Sequence, residues 1–211
     1  MTAAPRPLSP PMPGGGSDLR WLITDTLLLA GRNLAHVRQV PEKLIDVTVQ
    51  PLMFVLLFAY VFGGAIAVPG GDYNEYLMAG IFVQTIGFGI VGPATAIATD
   101  LTDGIIDRLR SLPINRSAYL LGHVAAEIAT SMLALLIMTV AGLAVGWRIQ
   151  TDILHAVAGF GLLILFMLAM IWTGTLVGLL ARAADAVTGI AFMVIFPLTF
   201  IANTFVPVST L

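Results

Sequence analysis

The sequence predicts an all-α polytopic membrane protein: an N-terminal amphipathic interfacial helix followed by five transmembrane helices. Three observations carry this expectation. Hydrophobic residues make up 58% of the 211 residues and charged residues only 10%, against roughly 25% charged in soluble domains, so the apolar excess must face something other than water. Charged residues are spaced so that uncharged runs of 25, 24, 20 and 29 residues lie between them, and about 20 apolar residues suffice to cross a bilayer as a helix. The Lys and Arg residues between the runs also collect in every other loop, as the positive-inside rule requires of cytoplasmic loops.

Residues 1–17 (MTAAPRPLSPPMPGGGS) are rich in Pro, Gly and Ser and carry no apolar h-region, so they read as a disordered tail and not as a signal peptide. The segment 18–44 is interrupted too often, by Asp25, Arg32 and Arg38, to span. Its apolar residues Leu19, Leu22, Ile23, Leu27, Ala30, Leu34 and Val37 recur every three to four positions and form one stripe. This helix is expected to lie in the interface plane, with Arg32, Arg38 and Lys43 toward the anionic cytoplasmic leaflet and Pro41 ending it.

The spans are expected at about 47–68, 77–99, 123–146, 155–181 and 186–205. The uncharged runs behind them lie between Asp46 and Asp72, Glu75 and Asp100, Glu127 and Arg148, Asp152 and Arg182, and finally after Asp185. Pro93 and Pro197 are expected to kink their helices. Arg32, Arg38 and Lys43 before span one, Arg108, Arg110 and Arg116 between spans two and three, and Arg182 between spans four and five put the N-terminus in the cytoplasm. Only Arg148 falls on the other side, and five crossings leave Leu211 outside.

The loop 100–116 concentrates charge: three aspartates and three arginines bracket Leu101, Ile105, Ile106, Leu109 and Leu112 at helical spacing. It reads as a short amphipathic helix outside the bilayer, stopped by Pro113. A solvated turn would explain its arginines, but its apolar stripe asks for a groove that a cytoplasmic partner could supply.

The chemistry the chain lacks is equally defining. With no cysteine there is no disulfide, thiolate nucleophile or Cys-ligated metal. Lys43 is the sole lysine and follows Glu42, so no phosphate-cradling GxxxxGK[ST] loop exists and ATP energy must come from elsewhere. No HExxH or GxSxG occurs, and His36, His123 and His155 fall on separate segments. We therefore expect no catalytic residue, no metal site and no nucleic-acid partner.

Within the spans, Glu127 is the acidic residue placed to act as a gate, one turn after His123, with helix anchoring or interfacial placement as alternatives. Gln50, Gln84, Thr85 and Asn203 could line a pathway or bond between helices. The pairs Gly142/Gly146 and Gly174/Gly178 have the GxxxG spacing of close helix packing or dimer contact.

Three stretches resemble the membrane subunits of ABC-2 type exporters, in particular the daunorubicin/doxorubicin resistance permease branch. QPLMFVLLFAYVFGGAI (Gln50 to Ile66) is similar to the family's first span. DLTDGIIDRLRSLPINRSAYLLG (Asp100 to Gly122) is similar to its coupling segment, with Asp103, Gly104, Asp107, Arg108, Arg110, Pro113 and Arg116 in matching places. NTFVPVSTL (Asn203 to Leu211) resembles the outer loop after span five.

The resemblance implies a six-span permease whose sixth span lies beyond this chain, in the cell membrane, working as a homodimer or heterodimer. It implies a separate cytoplasmic ABC ATPase that carries the ATP and Mg and docks on the coupling helix. There Asp103, Gly104, Asp107, Arg108 and Arg110 would supply turn and rim, while Ile106, Leu109, Leu112 and Pro113 would fill and end the contact. It points to export of a hydrophobic or amphiphilic drug. Export of a lipid or polysaccharide, an ATP-independent carrier and a non-transporting scaffold are the other readings. The lack of a midplane carboxylate and of a charged ring weighs against a proton-coupled carrier or an ion pore.

Overall fold

The computed structural model describes residues 19–39, 41–57, 60, 73–111, 116–149, 151–181 and 183–201. Among them the chain is helical with no strand: α1 (Leu19–Gln39), α2 (Pro41–Leu57), α3 (Tyr73–Phe88), α4 (Val91–Thr102), α5 (Ile105–Arg110), α6 (Arg116–Val145), α7 (Ile153–Leu180) and α8 (Ala184–Ile201). Three helical segments are long and apolar enough to cross a membrane: Met78–Thr102, Ser117–Val145 and Ile153–Leu180. Thr48–Leu57 and Ala184–Leu198 are shorter apolar helices. The protein is an all-α membrane protein. The expected tail 1–17, most of 58–68 and residues 202–205 of the expected spans lie outside the described residues.

The helix bounds differ from the sequence reading where tertiary contacts intervene. Pro41 does not end the first helix alone; it opens α2 at the first helical position, where its missing N–H costs nothing. Residues 41–44 therefore belong to α2 and not to the interfacial helix. The segment 77–99 is two helices, with a turn at Gly89 and Ile90 where the Gly89 N–H reaches the carbonyls of both Thr85 and Ile86, at 3.1 and 3.0 Å. Pro93 has no N–H to offer the Gly89 carbonyl one turn back, so the break falls ahead of the proline. α8, by contrast, continues through Pro197.

α6 begins at Arg116, seven residues before the expected span 123–146. α1 packs along its N-terminal half: Leu29 and Ala30 lie against Gly122, and Leu22 and Thr26 share an apolar seam with Leu121, Val124, Ala125 and Ile128. Leu22, Asp25, Thr26, Leu29, Ala30 and Asn33 are partly shielded on α1, while Ile23, Leu27, Leu28 and Leu34 stay exposed. α1 thus has one face on α6 and a second apolar face turned away from the protein, as a helix at a lipid surface needs.

The core runs along the bundle in three clusters. At the end away from α5, Val55, Met78, Ile81, Phe82, Leu135, Met138 and Ala141 join α2, α3 and α6. Phe82 there meets Trp147 and Phe160 edge-on, at 5.9 and 6.2 Å between ring centres. The middle cluster is Ile86, Val124, Met167 and Ile171, and Ala94, Ala98 and Val187 close the end nearest α5.

Small residues set how closely α4 approaches α7. A Cβ on Gly174 would strike the Ile90 carbonyl and Pro93, and one on Gly178 would lie 2.6 Å from the Ala94 oxygen. Gly174 and Gly178 are thus within-chain packing residues. Gly142 packs on Met78 and Trp147, whereas Gly146 has φ 105° and open space around it. The Trp147 N–H bonds the Gly142 carbonyl at 2.9 Å and the Gly146 N–H bonds that of Leu143 at 3.3 Å, a Schellman termination of α6. Within this chain Gly146 serves conformation, shaping the end of α6, while Gly142 packs.

Candidate coupling site

α4 carries the chain out of the apolar core and ends at Thr102, and a single left-handed residue redirects it. Gly104 has φ 68° and nothing within 4 Å of a Cβ position, so conformation alone selects glycine there. The Asp103 N–H still bonds the Thr99 carbonyl at 2.9 Å, and the Gly104 carbonyl accepts the Arg108 N–H at 3.2 Å. α5 then runs for six residues, with Asp107 in its first turn.

The sequence reading had the helix start near Asp100. The structure assigns Asp100, Leu101 and Thr102 to α4 and leaves α5 only Ile105–Arg110. On α5, Asp107 and Arg108 are exposed, and Ile105, Ile106 and Leu109 are half-buried. Ser111 closes the helix, its hydroxyl donating to the Arg108 carbonyl at 2.6 Å. Leu112 and Pro113, and the side chain of Arg110, lie outside the described residues.

Behind α5, the end of α4 and the start of α6 are tied together by side chains. Tyr119 Oη donates to Asp100 Oδ2 at 2.8 Å. His123 Nε2 lies 3.0 Å from the same oxygen and supplies the proton of that bond, since an ionised carboxylate only accepts. The two rings stack edge to face at 4.8 Å. The side chains of His123 and Asp100 are 11% and 18% exposed, and the Arg32 cation of α1 is close enough to act on both Asp100 and Tyr119. Two helices, α4 and α6, therefore meet at one carboxylate.

The sequence reading puts Asp100 in the loop and His123 on a separate segment, and misses the pairing. The available signal was the i, i+4 spacing of Tyr119 and His123, which puts two polar rings on one face of an apolar helix.

The pathway candidates are dispersed. Gln84 is buried and Thr85 half-buried on α3, Gln50 is on the exposed side of α2, and Asn203 lies outside the described residues. The Glu127 carboxylate faces α4: a Cβ on Gly92 would be 3.2 Å from its Oε2. The threonines of α4 turn inward on their own helix, Thr95, Thr99 and Thr102 donating to carbonyls three or four residues back.

Comparison with known proteins follows the same lines. Residues 24–211 match the family model described as ABC-2 type transporter. Over 189 residues the chain is 31% identical to a daunorubicin resistance ABC transporter permease protein of Streptomyces coeruleorubidus, covering 90% of this chain and 67% of the relative. It is 24% identical over 183 residues to a probable doxorubicin resistance ABC transporter permease protein of Mycobacterium tuberculosis, covering 85% of this chain and 65% of that one. A second M. tuberculosis protein, a doxorubicin resistance ABC transporter permease, is 28% identical over 145 residues, or 64% of this chain and 50% of its own length. The chain spans about two thirds of the length of the first relatives it matches. No solved structure matches it significantly.

Proposed function

This chain belongs to the ABC-2 type transporter family, and we propose that it is the membrane-spanning subunit of an ATP-driven drug exporter. It works with a separate cytoplasmic ATPase that binds ATP and Mg, pairs with a second permease chain in the cell membrane, and has its N-terminus in the cytoplasm and residue 211 outside. Its cargo is a hydrophobic or amphiphilic compound of the kind named for its relatives, consistent with spans that hold few fixed charges. The chain has no phosphate-binding lysine loop, so hydrolysis belongs to the partner.

The observation that carries this reading is α5, a short helix set on left-handed Gly104, presenting exposed Asp107 and Arg108 beside half-buried Ile106 and Leu109. Charged rim and apolar centre are the make-up of a protein contact. When nucleotide closes the ATPase, α5 is the part of this chain it grips, and the motion passes into α4 and α6.

The test is purification of the tagged chain from native membranes in mild detergent, with mass spectrometry of what stays bound. An ABC ATPase is expected with the parent chain, and the double variant Arg108→Ala/Leu109→Ala should retain at least about tenfold less at an unchanged membrane level. Equal retention by the variant, or no ATPase with the parent, overturns the reading.

A further inference from the structure

The coupling segment leaves the apolar core at one point and returns at another, and a single carboxylate joins the two. Asp100 stands five residues before α5 begins and Tyr119 nine residues after it ends, yet Tyr119 Oη and His123 Nε2 both reach Asp100 Oδ2, at 2.8 and 3.0 Å. We propose that Asp100, Tyr119 and His123 are positioning residues that lock the lower turns of α4 and α6 into one rigid brace, so that force on α5 moves both helices together. This rests on the exporter reading of α5.

Four features argue for it. The group is shielded, with His123 only 11% exposed, where a carboxylate without partners would be costly. Charge-assisted bonds to a shared oxygen are shorter and stronger than neutral ones, and two donors on one acceptor fix its position better than one. By contrast, the Thr99, Thr139 and Thr175 hydroxyls of α4, α6 and α7 turn back on their own helices. Finally, α1 packs on α6 directly beside the group, where Leu29 closely approaches Gly122, the residue before His123.

Without the brace, α5 hangs from α4 by one glycine of open surroundings. A push on α5 would then be absorbed by bending at Gly104 and would reach α4 and α6 unequally. With it, the push arrives at the Gly89–Ile90 turn on one side and at Glu127 against Gly92 on the other as a common displacement.

The chain has no cysteine, so two introduced ones report alone. In the full chain in lipid nanodiscs, spin labels on Thr99→Cys and Ser117→Cys, both exposed positions, should give a narrow distance distribution. Asp100→Asn and Tyr119→Phe should broaden it at least about twofold, and Asp100→Glu should restore most of the width. In inverted membrane vesicles holding chain and ATPase together, the same two variants should retain the ATPase within about twofold of the parent. They should nonetheless take up at least about fivefold less daunorubicin per ATP hydrolysed, with Asp100→Glu recovering to within about twofold. Unchanged widths in both variants, or uptake per ATP equal to the parent, overturns the brace. If the parent retains no ATPase, the exporter reading fails, and the spin-label widths still decide whether the brace exists.

Discussion

A Cβ built on Gly122 of α6 would stand 2.7 Å from the Cβ of Leu29 on α1 and 3.2 Å from the Ala30 nitrogen. These are atoms close to the backbone that no rotamer change can move aside. Gly122→Ala is expected to destabilise the protein by about 1–3 kcal/mol through overpacking, and Gly122→Leu to lift α1 away from α6. A cysteine at position 26, otherwise shielded, should then react with a maleimide at least about tenfold faster. An unchanged rate would falsify the docked position of α1.

Gly178 and Gly174 seat α7 on α4, and the obstacles are again backbone: the Ala94 oxygen at 2.6 Å, and the Ile90 carbonyl. Gly178→Ala and Gly174→Ala should each lower the thermal midpoint in detergent, by the equivalent of about 1–3 kcal/mol. Gly159 and Gly161 on the same helix have nothing within 4 Å, so alanine there should leave the midpoint unchanged or raised. Equal behaviour of the two pairs would contradict the α4–α7 interface.

Gly104 and Gly146 are needed for backbone shape, with φ of 68° and 105° and open surroundings. Alanine at either should cost about 1 kcal/mol or more. Asn, which tolerates the left-handed region, should cost clearly less than Ala at Gly104. Thermal midpoints of the three variants test this; Ala and Asn giving the same loss at 104 counts against the left-handed turn.

Thr26 Oγ1 is buried with no hydrogen-bond partner, in the apolar seam between α1 and α6 lined by Leu22, Leu121, Val124 and Ile128. Thr26→Val keeps the shape and removes the unpaired hydroxyl. It should be neutral or stabilising, by up to about 1–2 kcal/mol. A clear destabilisation shows that the hydroxyl is bonded in the native protein.

The fold class was legible because charge is so sparse here that Asp100, Arg116, Arg148, Asp152 and Arg182 fall at or near the ends of the long apolar helices. The α5 turn was legible too, since Gly104 among Asp103, Asp107 and Arg108 stands out against apolar surroundings. What a sequence hides is pairing between segments. Gly142, Gly146, Gly174 and Gly178 look alike in spacing, yet the first packs, the second shapes a helix end and the last two admit a neighbouring helix. The early start of α6 could not be read either, because α1 and Asp100 supply partners to residues that in isolation resemble a loop. Tyr119 and His123 showed their spacing but not their common acceptor.

α6 has 30 residues and α7 has 28, so at 1.5 Å per residue they measure about 45 and 42 Å, against roughly 30 Å of hydrocarbon. The surplus is taken up by tilt or by standing proud of the headgroups. A thicker host membrane would draw the bound carboxylate and its two ring donors toward the headgroups, and a thinner one would leave them in water. The elevation of α5 above the lipid is therefore a property shared between this chain and the bilayer that houses it.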